Sequence, residues 1–301
     1  MPIRIGTAEP DSTFLGQGLA LKTVLDRDPN LAPVAVLQSP HASVDNANRL
    51  QAGELDFGFM AANWIGRARE GSAPFAQAID LRMVAPMNAG PLFFIVRNES
   101  SIRTVADLRG RRVAVGVEQS GMAQHARVIL AALGLRVADI TPVYLDFASG
   151  ADALAAGAVD AQLQCPIPNK VMTALSRRLD VRVLPYAAGH LQAVLQAVPF
   201  YRATTMRKGA LRGLDADVEQ AAVVNVLVTH ARTDDATVSA VTRAIIAARD
   251  ALPGLDPLFA GLADLFAPLR VEGPAALEFG GVALHRGALA AYRELGLVAE
   301  L

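Results

Sequence analysis

The polar side chains most able to do chemistry in this sequence come directly after short apolar segments. They fall in residues 8–13, 39–43, 61–64, 117–122 and 165–169. Each apolar segment is predicted to be a strand and each polar segment to lead into a helix. In open α/β sheets ligands bind at the carboxyl ends of strands, where the N–H groups of helix N-termini favour an anionic group. The pattern therefore indicates a binding site made of hydroxyl, amide and backbone groups.

The first of these segments carries the most candidates. Ser12 and Thr13 are credible helix N-caps, and Asp11 could serve as well. A sharper interpretation places Thr13 and a backbone N–H on a ligand carboxylate. Glu9 and Asp11 are interpreted by default as solvated acids. If one of them faces the ligand, it indicates an ammonium group or a bound cation. Phe14 would supply an apolar wall.

The other segments add hydrogen-bonding groups and a second wall. Ser43 is predicted to cap a helix, while Ser120-Gly121 lets the backbone approach a ligand at the next helix. Trp64, the only tryptophan, is either a packing residue or a pocket wall. The predicted ligand-binding residues are Thr7, Ala8, Glu9, Asp11, Thr13, Phe14, Ser39, Ser43, Asn63, Trp64, Ser120, Gly121, Met122, Cys165 and Asn169.

No motif predicts catalysis, a metal or a cofactor. The sequence has no GxSxG, GxGxxG, GxxxxGK, HExxH or CxxC pattern. The five histidines are not spaced as metal ligands. Cys165 has no histidine tied to it by the pattern and is interpreted as a small buried residue. We expect a binding protein, not an enzyme.

Composition narrows the possible partners. The chain has 301 residues, 52% of them hydrophobic, and a formal charge of −1 without a long run of one sign. Nucleic acid is not expected as a partner, because phosphate binding needs a basic surface. One cysteine excludes an internal disulfide, and no apolar run reaches the roughly 18 residues that span a bilayer. The first residues lead directly into a strand, so a periplasmic location is expected only if a leader has been removed.

Two stretches about a hundred residues apart share one pattern. The first is predicted as strand Ile3–Thr7, helix Phe14–Leu25, strand Val34–Gln38, helix Ser43–Ala52 and Gly53-Glu54-Leu55-Asp56-Phe57. The second is predicted as strand Arg112–Gly116, helix Gly121–Leu133, strand Val143–Leu145, helix Ser149–Ala156 and Gly157-Ala158-Val159-Asp160-Ala161. Alternation of this kind is typical of βαβ units in a mainly parallel sheet. Two similar α/β lobes imply a ligand cleft between them.

Lobe I is predicted to contain residues 1–90 and 206–301, and lobe II residues 91–205. The chain would cross twice, which makes a hinge. Strands are predicted at Leu92–Val96 and Val223–Thr229, and helices of the tail at Thr233–Ala251 and Arg286–Leu295.

Several longer motifs occur in order along nearly the whole chain. They are Ile5-Gly6-Thr7 leading to Gly16-Gln17-Gly18, Gly53-Glu54-Leu55-Asp56-Phe57-Gly58, Thr104-Val105-Ala106-Asp107-Leu108-Arg109-Gly110 leading to Gly116, Pro199-Phe200-Tyr201, and Leu284-His285-Arg286-Gly287. Together they resemble the TAXI-type solute-binding proteins of TRAP transporters.

The resemblance implies a periplasmic-binding-protein type II fold, with two lobes that are each a mainly parallel sheet flanked by helices. It implies a small, usually carboxylated solute in the interlobe cleft and delivery of that solute to TRAP permease subunits in the membrane. Two alternatives stay open. One is an enzyme on the same fold, of the thiamine-precursor or tetrapyrrole type, and the other is a stand-alone ligand-sensing module.

Overall fold

The computed structural model describes residues 1–9, 12–118, 120–164, 167 and 169–299. The chain divides into two compact units. Unit 1 comprises Met1–Ala89 and Val224–Leu301, and unit 2 comprises Gly90–Val223. The predicted boundaries followed residues 90 and 205. The observed boundaries follow residues 89 and 223.

Strands and helices alternate along the first three quarters of the chain. The strands are β1 (Ile3–Gly6), β2 (Val34–Leu37), β3 (Phe57–Ala61), β4 (Leu81–Arg97), β5 (Arg112–Ala114), β6 (Thr141–Val143), β7 (Ala161–Gln164), β8 (Val181–Val183), β9 (Tyr201–Met206) and β10 (Val218–His230). The helices are α1 (Thr13–Leu25), α2 (Ser43–Ala52), α3 (Ala62–Glu70), α4 (Gly121–Ala132), α5 (Phe147–Ala155), α6 (Lys170–Arg178), α7 (His190–Ala197), α8 (Asp235–Ala248), α9 (Leu262–Phe266), α10 (Leu269–Glu272) and α11 (Arg286–Glu294).

The sheet of unit 1 is built on three parallel strands. β1 pairs with β2 on one side and with β3 on the other, in register Ile5↔Val36 and Ile5↔Phe57. β10 then runs antiparallel to β3. Because each parallel strand is followed by a helix, α1, α2 and α3 all begin at the same edge of this sheet.

The sheet of unit 2 repeats that arrangement. β5 pairs in parallel with β6 and β7, and β7 runs antiparallel to residues 93–96 of β4. α4, α5 and α6 follow β5, β6 and β7 and therefore begin at one edge. Behind this edge a buried apolar cluster includes Phe93, Ile95, Leu154 and Leu175.

The predicted duplication is confirmed down to single contacts. Arg4 at the start of β1 donates to both oxygens of Asp56, at 2.8 and 3.0 Å. Arg112 at the start of β5 does the same with Asp160, at 2.7 and 3.2 Å. Each arginine also donates to the carbonyl of the glycine that begins the Gly-x-x-Asp segment, Gly53 after α2 and Gly157 after α5. In each unit, the Gly-x-x-Asp segment found in the sequence therefore accepts the hydrogen bonds of the arginine at the start of β1 or β5.

A buried amide fills the helix–strand junction of each unit, but from opposite sides. In unit 1 Asn46 on α2 lies against Gly58 of β3. A Cβ added to Gly58 would lie 3.0 Å from the Asn46 Cβ. In unit 2 the amide belongs to Gln162 of β7, and Gly150 on α5 makes room for it. Gly58 and Gln162 occupy equivalent positions in the pairing of their strands with β1 and β5. The amide at this junction therefore comes from the helix in unit 1 and from the strand in unit 2.

Two predicted elements of unit 2 are displaced. β6 lies at Thr141–Val143, two residues before the predicted strand at 143–145. α5 begins at Phe147 and not at Ser149, because the Asp146 carboxylate accepts a hydrogen bond from the Ser149 N–H at 2.8 Å and so caps the helix earlier. Within the described residues, no helix is long and apolar enough to span a membrane.

Candidate functional site

The starts of α2 and α3 lie side by side in unit 1. The Ser43 hydroxyl oxygen accepts a hydrogen bond from the backbone N–H of Ala61 at 3.1 Å, which joins the first residue of α2 to the residue before α3. Neither helix has a side-chain cap: Ala42 precedes α2, and Ala61 precedes α3. We call this pair of helix starts the α2/α3 corner.

The prediction that Ser43 caps α2 is wrong. Ser43 is the first residue of the helix, and the capping position belongs to Ala42, which has φ of 46° and no oxygen to offer. A positive φ costs a residue with a Cβ free energy. Strain of this kind persists where the surrounding structure holds it, and such places are often ligand sites.

An uncapped helix start leaves N–H donors and the positive end of the helix dipole for another acceptor. The α2/α3 corner also contains the Asn63 side chain, whose buried oxygen has no hydrogen-bond partner among the described residues. Oxygen and nitrogen of an asparagine amide can exchange places by rotation. Asn63 can therefore present either an acceptor or two donors to a bound group.

Ser39 lies beside this corner at the end of β2. Its side chain is fully buried, and its hydroxyl oxygen accepts from Arg49 at 2.8 Å. Arg49 also donates to the carbonyl of Gln38 at 3.1 Å. Thr7, at the end of β1, is equally buried and donates its hydroxyl hydrogen to the Leu37 carbonyl at 3.1 Å.

The start of α1 differs from its two neighbours because a side chain caps it. The Ser12 hydroxyl accepts from the Leu15 N–H at 3.2 Å, as predicted for one of the three candidate caps. Thr13 is then the first helical residue and is half-buried. Phe14 is only 6% exposed and stacks on Phe59 at 5.5 Å between ring centroids, so it belongs to the apolar core.

Trp64 lies in the first turn of α3 and is half-buried. Its ring meets Phe75 edge to face, with centroids 6.4 Å apart. The Arg67 guanidinium lies 5.4 Å from the same ring, within the range of a cation–π contact. Its role as a ligand wall stays a prediction.

The remaining candidates of the sequence analysis include residues that the structure does not describe. Ala8 is buried and Glu9 is exposed, while Asp11 lies outside the described residues, as does Cys165. His41 is 80% exposed and lies 3.3 Å from Asp45. Among the described residues, no group of three or more His, Cys, Asp or Glu could hold a metal ion.

Unit 2 satisfies the starts of its three corresponding helices with its own side chains. Ser120 accepts from Ala123 N–H at 3.2 Å before α4, and Asp146 caps α5. Asn169 accepts from Met172 N–H at 2.7 Å before α6. Gly121 and Met122, predicted as ligand contacts, form the first turn of α4 and are half-buried.

Two buried glutamines were missed by the sequence reasoning. Gln17 on α1 and Gln164 at the end of β7 are fully buried, and neither atom of either amide has a partner among the described residues. Gln17 shares a helix face with Phe14 and Leu21. A polar residue in an apolar helical stripe is the signal that could have singled it out.

Five of the segments that follow the parallel strands contain no Lys or Arg of their own. They are residues 7–13, 38–43 and 61–64 in unit 1, and 115–122 and 144–147 in unit 2. Cations still reach these edges from the helices: the Arg49 guanidinium donates to Ser39 and to the Gln38 carbonyl, and Lys170 is the first residue of α6.

Solved structures show which fold this is. A putative sulfonate-binding protein of an ABC transporter from Methylobacillus flagellatus aligns with 100% of this chain and 98% of its own, at TM-score 0.62 and 13% identity. A TctC solute-binding protein from Polaromonas aligns with 87% of this chain and 94% of its own, at TM-score 0.56 and 16% identity. The periplasmic aliphatic sulphonate-binding protein SsuA from Escherichia coli covers 99% of this chain and 89% of its own, at TM-score 0.52 and 20% identity. The predicted two-lobe α/β fold of periplasmic binding proteins is confirmed.

The chain belongs to the NMT1-like family, whose model matches residues 5–296. Nearly all of both units is therefore part of the family pattern. The finer assignment to TAXI-type proteins and the expected cleft between the lobes stay predictions.

Proposed function

We propose that this protein is a solute receptor that binds a small molecule without transforming it. The observation that carries the proposal is the α2/α3 corner, where two adjacent helices begin without a side-chain cap. The acceptor group of a solute, most simply a carboxylate, occupies the position that a capping oxygen fills elsewhere. Membership of the NMT1-like family and the binding-protein fold support this choice over an enzyme.

Each group at the corner has a defined task in this proposal. N–H groups in the first turns of α2 and α3, other than that of Val44, which already donates to the His41 carbonyl, donate to the solute acceptor. Asn63 turns its amide to donate as well. Ser43 fixes the spacing of the two helix starts through its bond to Ala61. Ser39 can also donate its hydroxyl hydrogen, because in the contact with Arg49 its oxygen is the acceptor.

The cellular role follows from the same proposal. A receptor that holds a solute through hydrogen bonds releases it unchanged, which suits delivery to membrane permease subunits. The sequence resemblance favours a TRAP-type permease and a carboxylated solute, acting outside the cytoplasm. The named structural neighbours include sulfonate-binding proteins, so sulfonates belong beside carboxylates in any screen.

Thermal unfolding with a solute panel tests the proposal. Acetate, benzoate, succinate, methanesulfonate and benzenesulfonate are each added at 10 mM at constant ionic strength. A solute that binds only the folded state raises Tm as its concentration exceeds Kd. We expect at least one monoanion to raise Tm and to be recovered unchanged after incubation.

The variant Asn63→Asp makes the test specific to the corner. A carboxylate in the first turn of α3 is favourable to the helix, so the fold is retained, but it repels a bound anion. The stabilisation by the monoanion should disappear. Asn48→Asp gives the same charge change at an exposed position of α2 away from its start and should leave the stabilisation intact. Equal stabilisation in wild type and Asn63→Asp would contradict the assigned site.

A further inference from the structure

We infer that the solute of the α2/α3 corner is a 2-hydroxy acid and that the side-chain amides of Asn88 and Asn225 recognise its hydroxyl group. The inference rests on the proposed function and adds the class of solute: a monocarboxylate with a hydroxyl on the carbon next to the carboxylate. All the residues that carry it belong to unit 1.

Asn225 lies on the strand next to the α2/α3 corner. β10 runs antiparallel to β3 in register Asn225↔Ala61, and Ala61 is the residue before α3. Neighbouring strands lie about 4.8 Å apart, and residues directly opposite each other in an antiparallel pair have their side chains on the same face of the sheet. Asn225 is therefore one strand spacing away from the backbone that leads into α3.

The Asn225 side chain is joined to Asn88 of β4. The Asn225 Nδ2 donates to the Asn88 Oδ1 at 3.1 Å, although the two residues are 137 positions apart in the sequence. Asn88 is 3% exposed and Asn225 is 7% exposed. The surrounding strands thus hold both amides in a fixed orientation, which reduces the entropy lost on binding a ligand.

Asparagine is an unusual residue at these two positions. It is depleted in strands, and the residues around both positions are apolar, at 84–87 in β4 and at 221–224 and 226–228 in β10. A polar side chain in such a setting costs free energy unless its hydrogen bonds are made. Two of them side by side indicate a task beyond the formation of the sheet.

The bond between the two amides leaves one amide donor group and one amide acceptor unused. The Asn88 Nδ2 and the Asn225 Oδ1 make no hydrogen bond with any residue that the structure describes. Turning both amides over would exchange their nitrogen and oxygen atoms. The Asn88 Nδ2 would then donate to the Asn225 Oδ1, and the unused groups would again be one NH₂ and one carbonyl.

A hydroxyl group is the ligand that uses both of these groups. Its oxygen accepts from the amide NH₂, and its hydrogen is donated to the amide carbonyl. A ketone oxygen can only accept and an ammonium group can only donate, so each would leave one amide group without a partner, which costs free energy. Because Asn225 is one strand away from the N–H donors assigned to the carboxylate, the hydroxyl belongs on the adjacent carbon.

Isothermal titration calorimetry with four three-carbon solutes tests the inference. Lactate, propionate, pyruvate and alanine share a carboxylate and differ at C2, which carries a hydroxyl, hydrogens, a carbonyl oxygen or an ammonium group. The better-bound enantiomer of lactate should bind about tenfold more tightly than propionate, because it gains two hydrogen bonds. Pyruvate and alanine should each bind about threefold or more weakly than lactate, because one amide group stays unpaired.

The double variant Asn88→Leu/Asn225→Leu assigns the preference to the amide pair. Replacing both partners of a buried hydrogen bond by apolar groups of similar shape changes stability little, and circular dichroism and Tm check that the fold is retained. The affinity for lactate should fall to that for propionate, which should be unchanged. Asn48→Leu, at an exposed position of α2, is the matched control and should keep the preference for lactate.

The outcomes separate this inference from the proposed function. Propionate binding that Asn63→Asp abolishes, combined with equal affinity of the wild type for lactate and propionate, overturns the 2-hydroxy acid and keeps the receptor. Pyruvate or alanine binding as tightly as lactate overturns it as well. A lactate preference that survives in the double variant, or an equal loss of lactate and propionate binding, overturns recognition by the amide pair. If no monoanion in either panel binds, the proposed function fails and the inference falls with it.

Discussion

His125 shows how burial sets the chemistry of a single residue in unit 2. Its ring is 6% exposed, and its Nδ1 lies 2.6 Å from the Tyr201 hydroxyl. Burial lowers the pKa of His125 to about 4. The pair therefore consists of two neutral groups at physiological pH, joining α4 to β9. The lowered pKa makes the stability of the protein depend on pH.

The protein should lose stability as the pH falls from 6.5 towards 4. In this range the unfolded state binds a proton at His125 and the folded state does not, so the stabilisation present above pH 6.5 is lost through the folded pKa. A difference of this size corresponds to up to about 3 kcal/mol. Urea unfolding at pH 7.5, 5.5 and 4.5 measures the loss in wild type.

His125→Gln keeps a polar partner for Tyr201 and removes the titrating ring. The decrease in unfolding free energy between pH 7.5 and 4.5 should be smaller in this variant than in wild type. His41→Gln, at a residue that is 80% exposed, should leave the decrease unchanged. An identical pH dependence in His125→Gln and wild type would refute a coupling of His125 to folding.

At the level of single residues, the sequence predicted caps well where a cap exists. Ser12 was one of three candidates and does cap α1. Ser43 was chosen by the same rule and fails, because its hydroxyl is engaged by Ala61, a residue 18 positions away. Contacts between distant segments are not encoded in a local pattern, and the α2/α3 corner is made by one of them.

At the level of elements, each helix of a βαβ unit must be tied to the strand ends it serves. Asn46 does this in unit 1: its Nδ2 donates to the Thr7 carbonyl at 2.8 Å and to the Phe59 carbonyl at 2.9 Å. The side chain is fully buried. One residue on α2 thus holds the segment after β1 and the middle of β3 in place.

Asn46→Ala should lower the unfolding free energy by about 2 kcal/mol, since two buried carbonyls lose their donor and a cavity forms. Asn48→Ala, at an exposed position of the same helix, should change it by less than about 0.5 kcal/mol. Urea denaturation of both variants gives the comparison. A loss of equal size at the two positions would show that Asn46 does not tie these elements together.

The type of each predicted element was correct, but its ends were predicted less well, and β8, β9 and the helices α3, α6, α7, α9 and α10 were not predicted. The period of apolar residues predicted α1, α2 and α4 to within a residue of their observed bounds. β4 and β10 are much longer than the predicted strands at 92–96 and 223–229. Residues 218–223 of β10, for example, pair with the preceding strand β9, so the length of the strand depends on its pairing and not on its local pattern alone.

At the scale of the whole molecule, the duplicated pattern was the strongest sequence signal, and the structure explains why. The Gly-x-x-Asp segments recur because Asp56 and Asp160 each form an ion pair with an arginine at the start of a parallel strand, Arg4 of β1 and Arg112 of β5. The hydrogen bond from Arg112 holds the pKa of Asp160 below its usual range. Because the same contact occurs in both units, the same motif occurs twice in the sequence. The duplicated fold could therefore be predicted from one sequence.

The candidate site was harder to predict from the sequence, because it depends on what differs between the two units. Unit 1 leaves two helix starts uncapped, whereas unit 2 caps all three of its corresponding helices. Absence of a cap has no sequence motif of its own. The contrast becomes visible only when the hydrogen bonds of both units are compared.

Hydrogen–deuterium exchange, with and without the monoanion that raises Tm most, tests most directly whether the α2/α3 corner binds the solute. Bound solute should slow exchange at the amides of residues 43–46 and 62–65, while residues 26–33 at the opposite edge of the sheet of unit 1 keep their rates. Unchanged exchange at both helix starts under saturating solute would contradict the account.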